Sequence, residues 1–107
     1  MSPERAILIA VATNKTSGRW SVEESINELA QLAKTAGAKV IGRLTQRLPM
    51  PSKTHYLGKG KLEELLELKD STNYNLAIFD DELSPLQQRN LEEALQVKVI
   101  DRAVLIL

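Results

Sequence analysis

The chain has 107 residues; 43% are hydrophobic, 26% are charged, and 14 Lys or Arg balance 14 Asp or Glu, as expected for one small globular domain. The lack of cysteine excludes disulfides and thiolate metal sites, and the single histidine argues against a histidine metal cluster. No stretch reaches the roughly 18 apolar residues of a membrane span and no secretory signal is present, so we expect a cytoplasmic protein.

The first part of the chain predicts a strand, a helix and a second strand. Ala6–Ala12 is uninterrupted apolar sequence, typical of a strand buried on both faces. Ser21 and Glu24 form a capping box before a helix with one apolar face, and Gly37 provides a left-handed stop. Lys39–Leu44 then predicts a strand with charges at two of its six positions.

The middle of the chain predicts a long loop followed by a helix and a strand. We expect a loop over Thr45–Leu57 because its two prolines disfavour both a helix and a central strand. A short amphipathic helix is expected from Leu62, with Glu63 and Glu64 in its first turn. Leu76–Phe79 is wholly apolar and predicts a third, buried strand.

The last part predicts a helix and a fourth strand. Ser84 is a cap, Pro85 suits the first helical position, and Gln87 completes a capping box. Val97–Ile100 is the fourth strand. The apolar run Ala103–Leu107 has no polar stop, so we expect the chain to be a segment of a longer protein.

This succession predicts an α/β fold over residues 1–107, with the pattern β-α-β-α-β-α-β. The expected architecture is a three-layer, open, parallel four-stranded sheet. Because the first and third strands are apolar and the other two carry charges, we predict strand order 2-1-3-4. Three loops should then share the carboxyl edge of the sheet, where ligands bind in such folds. These loops are Thr13–Trp20, Thr45–Lys61 and Asp80–Ser84.

Charge is segregated along the chain although its sum is zero. Arg43–Lys61, called the basic segment below, holds five basic residues, the histidine and no acid. Its end, Gly58 to Lys61, opens a helix but is not a Walker A loop, because His55 stands where that motif needs glycine and Leu62 where it needs Ser or Thr.

A solvated basic turn is the simpler interpretation of this tetrapeptide alone. With the other cations on the same edge, the pattern favours phosphate binding, and nucleic acid more than a free nucleotide. The candidate nucleic-acid-binding residues are Arg43, Arg47, Lys53, His55, Tyr56, Gly58, Lys59, Gly60 and Lys61.

Other side chains leave alternatives open. Tyr56 could stack on an unpaired base or pack under the loop. For His55 the simpler interpretation is a solvated side chain. We expect Trp20 to pack at the first helix. The carboxylates of Asp80–Glu82 could hold Mg²⁺. The favoured interpretation is that they interact with the dipole at the start of the next helix and pair with the basic segment. No catalytic arrangement is legible, so we assign neither catalytic nor metal residues.

Four stretches together resemble the N-terminal domain of the HflX family of ribosome-associated GTPases. They are A-G-A-K-V-I-G-R-L-T-Q-R, H-Y-L-G-K-G-K-L-E-E-L, F-D-D-E-L-S-P-L-Q-Q-R-N-L and V-K-V-I-D-R. The resemblance covers most of Ile7 to Leu107. Lys59 departs from it, since many members have a small residue there, and the Thr13–Trp20 loop matches no known pattern of the family.

The resemblance implies an α/β domain that precedes a helical pair and a GTPase domain, both absent from this chain. It implies binding to the large ribosomal subunit and its RNA, with Lys59 and Lys61 in contact, within a protein that splits or rescues stressed ribosomes. GTP and Mg²⁺ are expected for the absent domain and no cofactor for this one. The alternatives are an adenine-nucleotide-binding domain with RNA-remodelling activity and a scaffold that positions the GTPase domain. The isolated chain could also self-associate through Val104–Leu107.

Overall fold

The computed structural model describes residues 3–13 and 21–106. The predicted Trp20 packing and most of the Thr13–Trp20 loop lie outside these residues. The elements are β1 (Arg5–Ala12), α1 (Val22–Thr35), β2 (Lys39–Arg47), α2 (Lys59–Thr72), β3 (Leu76–Phe79), α3 (Pro85–Leu95), β4 (Lys98–Asp101) and α4 (Arg102–Ile106).

The four strands form one parallel sheet in the order β2-β1-β3-β4. The predicted fold class and strand order are therefore confirmed. The two apolar strands β1 and β3 lie inside and are buried over nearly their whole length, whereas the charged strands β2 and β4 form the edges.

Helices cover both faces of the sheet because β1 buries alternate residues on opposite sides. Leu8 and its even-numbered neighbours pack against Ile26 and Leu29 of α1, and Leu105 of α4 joins this cluster. Ile9 and its odd-numbered neighbours pack with residues of α2 and α3, including Leu65. The sheet is thus the middle of three layers, as predicted.

Two boundaries differ from the sequence prediction and both lie in the basic segment. Strand β2 continues to Arg47, so the expected loop over Thr45–Leu57 is shorter. Helix α2 begins at Lys59 rather than near Leu62, so Glu63 and Glu64 lie beyond its first turn, which contains no acid. The end of the chain adds the short helix α4, which was not predicted.

No helix within the described ranges combines the length and the apolar character needed to cross a membrane.

Candidate nucleic-acid interface

The connection from β2 to α2 is folded tightly at the carboxyl edge of the sheet. The backbones of Ser52 and Tyr56 exchange two N–H···O=C hydrogen bonds of 3.0 Å, which close a turn over Lys53, Thr54 and His55. The Ser52 hydroxyl accepts from the backbone N–H groups of Thr54 and His55, each at 3.3 Å. The turn therefore presents Lys53 from an ordered backbone.

Helix α3 holds this turn from the side. Gln87 Nε2 donates to the Ser52 carbonyl at 2.7 Å, and Asn90 Nδ2 donates to the Thr54 carbonyl at 2.9 Å. The Tyr56 hydroxyl also donates to Asp81 in the loop after β3, so the loops after β2 and β3 meet at one edge, as the strand order predicts.

Tyr56 packs in the core. Its side chain is 1% exposed, and its ring meets the ring of Phe79 edge-on with a centroid distance of 5.4 Å. Its hydroxyl donates to Asp81 Oδ2 at 2.5 Å and accepts the Val11 N–H at 3.2 Å. Burial, and then the bond to Asp81, raise the pKa of the Tyr56 hydroxyl above its ordinary value. Of the two alternatives for Tyr56, base stacking is wrong for this conformation because the ring has no free face.

The backbone at Tyr56 is in the left-handed region, with φ of 66°, and the Leu57 N–H donates to the His55 carbonyl at 2.6 Å. A tight turn with positive φ at an aromatic residue is strained and persists only where other contacts fix it. Here the buried ring and the two hydroxyl hydrogen bonds fix it. Sequence gave no signal of this turn.

Helix α2 starts where Gln46 holds Gly58. The Gly58 N–H donates to Gln46 Oε1 at 2.9 Å, and Gly58 is the N-cap. A Cβ on Gly58 would lie 3.0 Å from Gln46 Nε2, so glycine permits this approach. Lys59 and Lys61 consequently stand in the first turn of α2. Lys61 pairs with Glu64 at 3.0 Å, whereas Lys59 is exposed.

The two arginines lie on the other face of the sheet. Arg43 is paired in register with Leu8, which faces α1, and its Nη1 donates to Asn27 Oδ1 of α1 at 2.5 Å. Arg47 is four residues further along β2 and so shares that face. Gln46, which bonds Gly58, points to the α2 face. The structure thus divides four of the five predicted cations into an arginine pair on the α1 face and a lysine pair on the α2 face, while Lys53 stands on the turn held by α3.

The acids after β3 do not pair with the cations of the basic segment. Asp80 is 8% exposed, accepts from Ser25 Oγ at 2.6 Å, and forms an ion pair with Arg102 at 2.6 Å. Arg102 also pairs with Glu28. Burial lowers the pKa of Arg102, but the bonds to Asp80 and Glu28 outweigh it and leave the pKa above its ordinary value.

These contacts correct the expectation for Asp80 and identify Arg102 as a structural residue that the sequence did not indicate. Its partners lie 22 or more residues away, so no local pattern could reveal them. Across residues 3–13 and 21–106, no three His, Cys, Asp or Glu side chains gather where they could hold a metal ion.

Comparison with known proteins points to one family. Residues 23–107 match the family described as GTP-binding GTPase N-terminal. The chain is 50% identical over 104 residues to the GTPase HflX of Caldanaerobacter subterraneus subsp. tengcongensis, covering 97% of this chain and 23% of that protein.

Two further relatives carry the same name. The chain is 43% identical over 104 residues to the GTPase HflX of Alkalihalophilus pseudofirmus, covering 97% of the chain and 24% of the relative. It is 36% identical over 84 residues to that of Escherichia coli K12, covering 78% of the chain and 20% of the relative. The chain thus spans about a quarter or less of the length of these relatives.

Proposed function

The chain belongs to the GTP-binding GTPase N-terminal family as an HflX N-terminal domain, and from this premise we propose that it binds ribosomal RNA. The binding surface is the basic segment, and the partner is the large ribosomal subunit in the cytoplasm. The longer protein is proposed to be a GTP-binding protein, dependent on Mg²⁺, that splits or rescues stressed ribosomes.

What supports this proposal is that four of the five cations of the basic segment lack a carboxylate partner in the described part of the chain; the exception is Lys61, which pairs with Glu64. In the described part of the chain, Arg43, Arg47, Lys53 and Lys59 have no carboxylate within 4.0 Å, and all four are exposed. Ordinary protein surfaces intersperse both signs of charge. Uncompensated cations on one edge attract phosphate groups, which dominate the affinity of proteins for nucleic acids.

A free adenine nucleotide is the second candidate, because α2 begins with two lysines and without a side-chain cap. An uncapped helix start attracts phosphate through its backbone N–H groups. The N–H of Gly58 is already bonded to Gln46, which leaves fewer donors for a phosphate at this place. The spread of the cations over two sheet faces also favours a long polyanion over one small ligand.

The direct test replaces Lys59 and Lys61 by alanine. Binding to purified large ribosomal subunits should weaken, and the slope of log K against log salt should flatten by roughly one unit for each lost phosphate contact. The ion pair of Lys61 with Glu64 does not prevent this role, because exposed pairs contribute only about 0–1 kcal/mol.

A matched control replaces Lys34 and Lys98 by alanine. Both side chains are exposed. Lys34 lies near the end of α1 and Lys98 at the start of β4, so both lie toward the amino ends of the strands, away from the carboxyl edge of the sheet. The control removes the same charge and should leave binding unchanged. Unchanged affinity and salt slope in the Lys59→Ala/Lys61→Ala variant would overturn the assignment and favour the scaffold role.

A further inference from the structure

The division of the cations between two faces indicates which form of RNA the surface fits. Among the described residues, strand β2 pairs with β1 alone and so forms an edge of the sheet. Arg43 and Arg47 lie on its α1 face, four residues or about 13 Å apart along the strand. Lys59 and Lys61 lie on the α2 face, joined to β2 through the hydrogen bond between Gln46 and Gly58. Strand β2 is therefore flanked by cations on both faces of the sheet.

Aromatic side chains supply a second, independent observation. Four side chains of the chain are Phe, Tyr or Trp: Trp20, Tyr56, Tyr74 and Phe79. The last three are at most 2% exposed, and Trp20 lies outside the described residues. Proteins that bind single-stranded nucleic acid stack its bases on exposed aromatic rings. Within residues 3–13 and 21–106 this edge exposes no Phe, Tyr or Trp ring, and its one imidazole, that of His55, is half-buried and hydrogen-bonded through Nδ1 to Thr54 Oγ1 at 3.0 Å. The described surface is therefore better suited to phosphates than to unstacked bases.

Acidic residues restrict where a polyanion can lie. Asp81 and Glu82 follow β3 and are exposed. Strand β3 is two positions from β2 in the sheet, about 10 Å away at the usual strand spacing. A phosphate chain is repelled from the end of β3 and attracted to the β2 side of the same edge.

From these three observations we infer that the partner is double-stranded RNA that straddles strand β2. The edge strand lies along a groove of the duplex, the arginine pair contacts one phosphate backbone, and the lysine pair contacts the other. The wide, shallow minor groove of A-form RNA accepts such a ridge, and duplex RNA is recognised mainly by this shape. The hydrogen bond to Asn27 holds Arg43 in place while leaving its charge uncompensated. This inference rests on the proposed RNA-binding function and specifies its substrate class.

The test compares a blunt RNA duplex of about 16 base pairs, the span of a typical duplex-RNA-binding domain, with the unpaired single strand of the same sequence. The whole 107-residue chain is used. The duplex should bind about tenfold more tightly. Arg43→Gln/Arg47→Gln and Lys59→Gln/Lys61→Gln should each lower duplex affinity and each reduce the salt slope by about two. Lys34→Gln/Lys98→Gln, with the same loss of charge, should change neither.

Equal or tighter binding of the single strand would overturn the duplex inference and leave RNA binding standing. If only one of the two double variants lost affinity for the duplex, the straddling arrangement would be wrong and RNA binding would still stand. Absence of salt-sensitive binding to both RNAs and to large ribosomal subunits would overturn the proposed function as well.

Discussion

Tyr56 joins three elements through one side chain. Strand β3 ends at Phe79, opposite Ile9 of β1, so within the described part of the chain no strand lies beside the Val11 N–H on that side. The Tyr56 hydroxyl accepts this N–H and donates to Asp81 after β3. The side chain thus extends the hydrogen bonding of the sheet while anchoring the turn that presents Lys53.

Tyr56→Phe should lower the free energy of unfolding by about 1–3 kcal/mol, because it leaves the buried Val11 N–H without an acceptor. Urea unfolding measures this loss. Tyr74→Phe is the matched control: the Tyr74 hydroxyl donates to the Leu65 carbonyl, and its removal orphans no N–H donor. A smaller loss for Tyr56→Phe than for Tyr74→Phe would contradict this role.

The same two tyrosines predict a fall in stability at alkaline pH. Burial raises the pKa of Tyr74 to about 12, and burial with Asp81 raises that of Tyr56 further. In the unfolded chain both hydroxyls lose their protons near pH 10. Between about pH 10 and the pKa of each tyrosine in the folded protein, the native state holds more protons than the unfolded chain. The stabilisation that the two tyrosines contribute is therefore complete below about pH 10 and is lost as the pH rises above it.

The slope of this fall should be about 1.4 kcal/mol per pH unit for each tyrosine, and Tyr56→Phe should remove one of the two contributions. Urea unfolding at several pH values between about 9 and 12 would measure it. An unchanged slope in the variant would show that Tyr56 is not held neutral by its surroundings.

The fate of Tyr56 could not be decided from sequence. A tyrosine in a basic loop can either stack on a nucleic-acid base or pack in the core. Which of the two occurs depends here on Val11 and Asp81, which are distant in the chain. The cations of the basic segment could be named from sequence because they stand in an acid-free run, but their distribution over two faces of the sheet and the pairing of Lys61 with Glu64 depend on the fold.

At the scale of the elements, predictions were good where a side chain marks a boundary. Ser84 caps α3 and accepts the Gln87 N–H at 3.1 Å, as its capping box predicts. The start of α2 was missed because its N-cap is a glycine held by Gln46 from β2. The end of β2 was missed because one side of an edge strand is open, so Thr45–Arg47 shows no apolar alternation.

Two glycines provide a test with opposite expected signs. Gly37 follows α1 with φ of 93°, so Gly37→Ala should cost about 1 kcal/mol although the added Cβ meets nothing within 4 Å. Gly60 lies in the first turn of α2 with open space around it, so Gly60→Ala should stabilise by about 0.5 kcal/mol. Urea unfolding of both variants would decide. The same sign for the two changes in the free energy of unfolding would contradict this explanation from backbone conformation.

At the scale of the whole molecule, strand composition was enough to predict the sheet order. Wholly apolar β1 and β3 had to lie inside, and charged β2 and β4 suited the edges. The cluster of Arg102 with Asp80, Glu28 and Ser25 was not predictable, because it joins α1, the end of β3 and the start of α4 across long separations.

Arg102→Ala should lower the free energy of unfolding by about 3 kcal/mol, because it leaves the nearly buried Asp80 carboxylate without its cation. Adding Asp80→Asn to this variant should recover part of the loss, since no uncompensated charge then remains. A double-mutant cycle measured by urea unfolding would give a coupling of about 1–3 kcal/mol. Strict additivity would show that the pair contributes nothing.

We propose that the basic segment of this HflX N-terminal domain binds ribosomal RNA through phosphate contacts. The most direct measurement is a titration of the chain against isolated large ribosomal subunits at two salt concentrations, with and without ATP. We expect binding that weakens steeply with salt and is unchanged by ATP. Absence of binding to the subunits, together with measurable affinity for ATP, would contradict it.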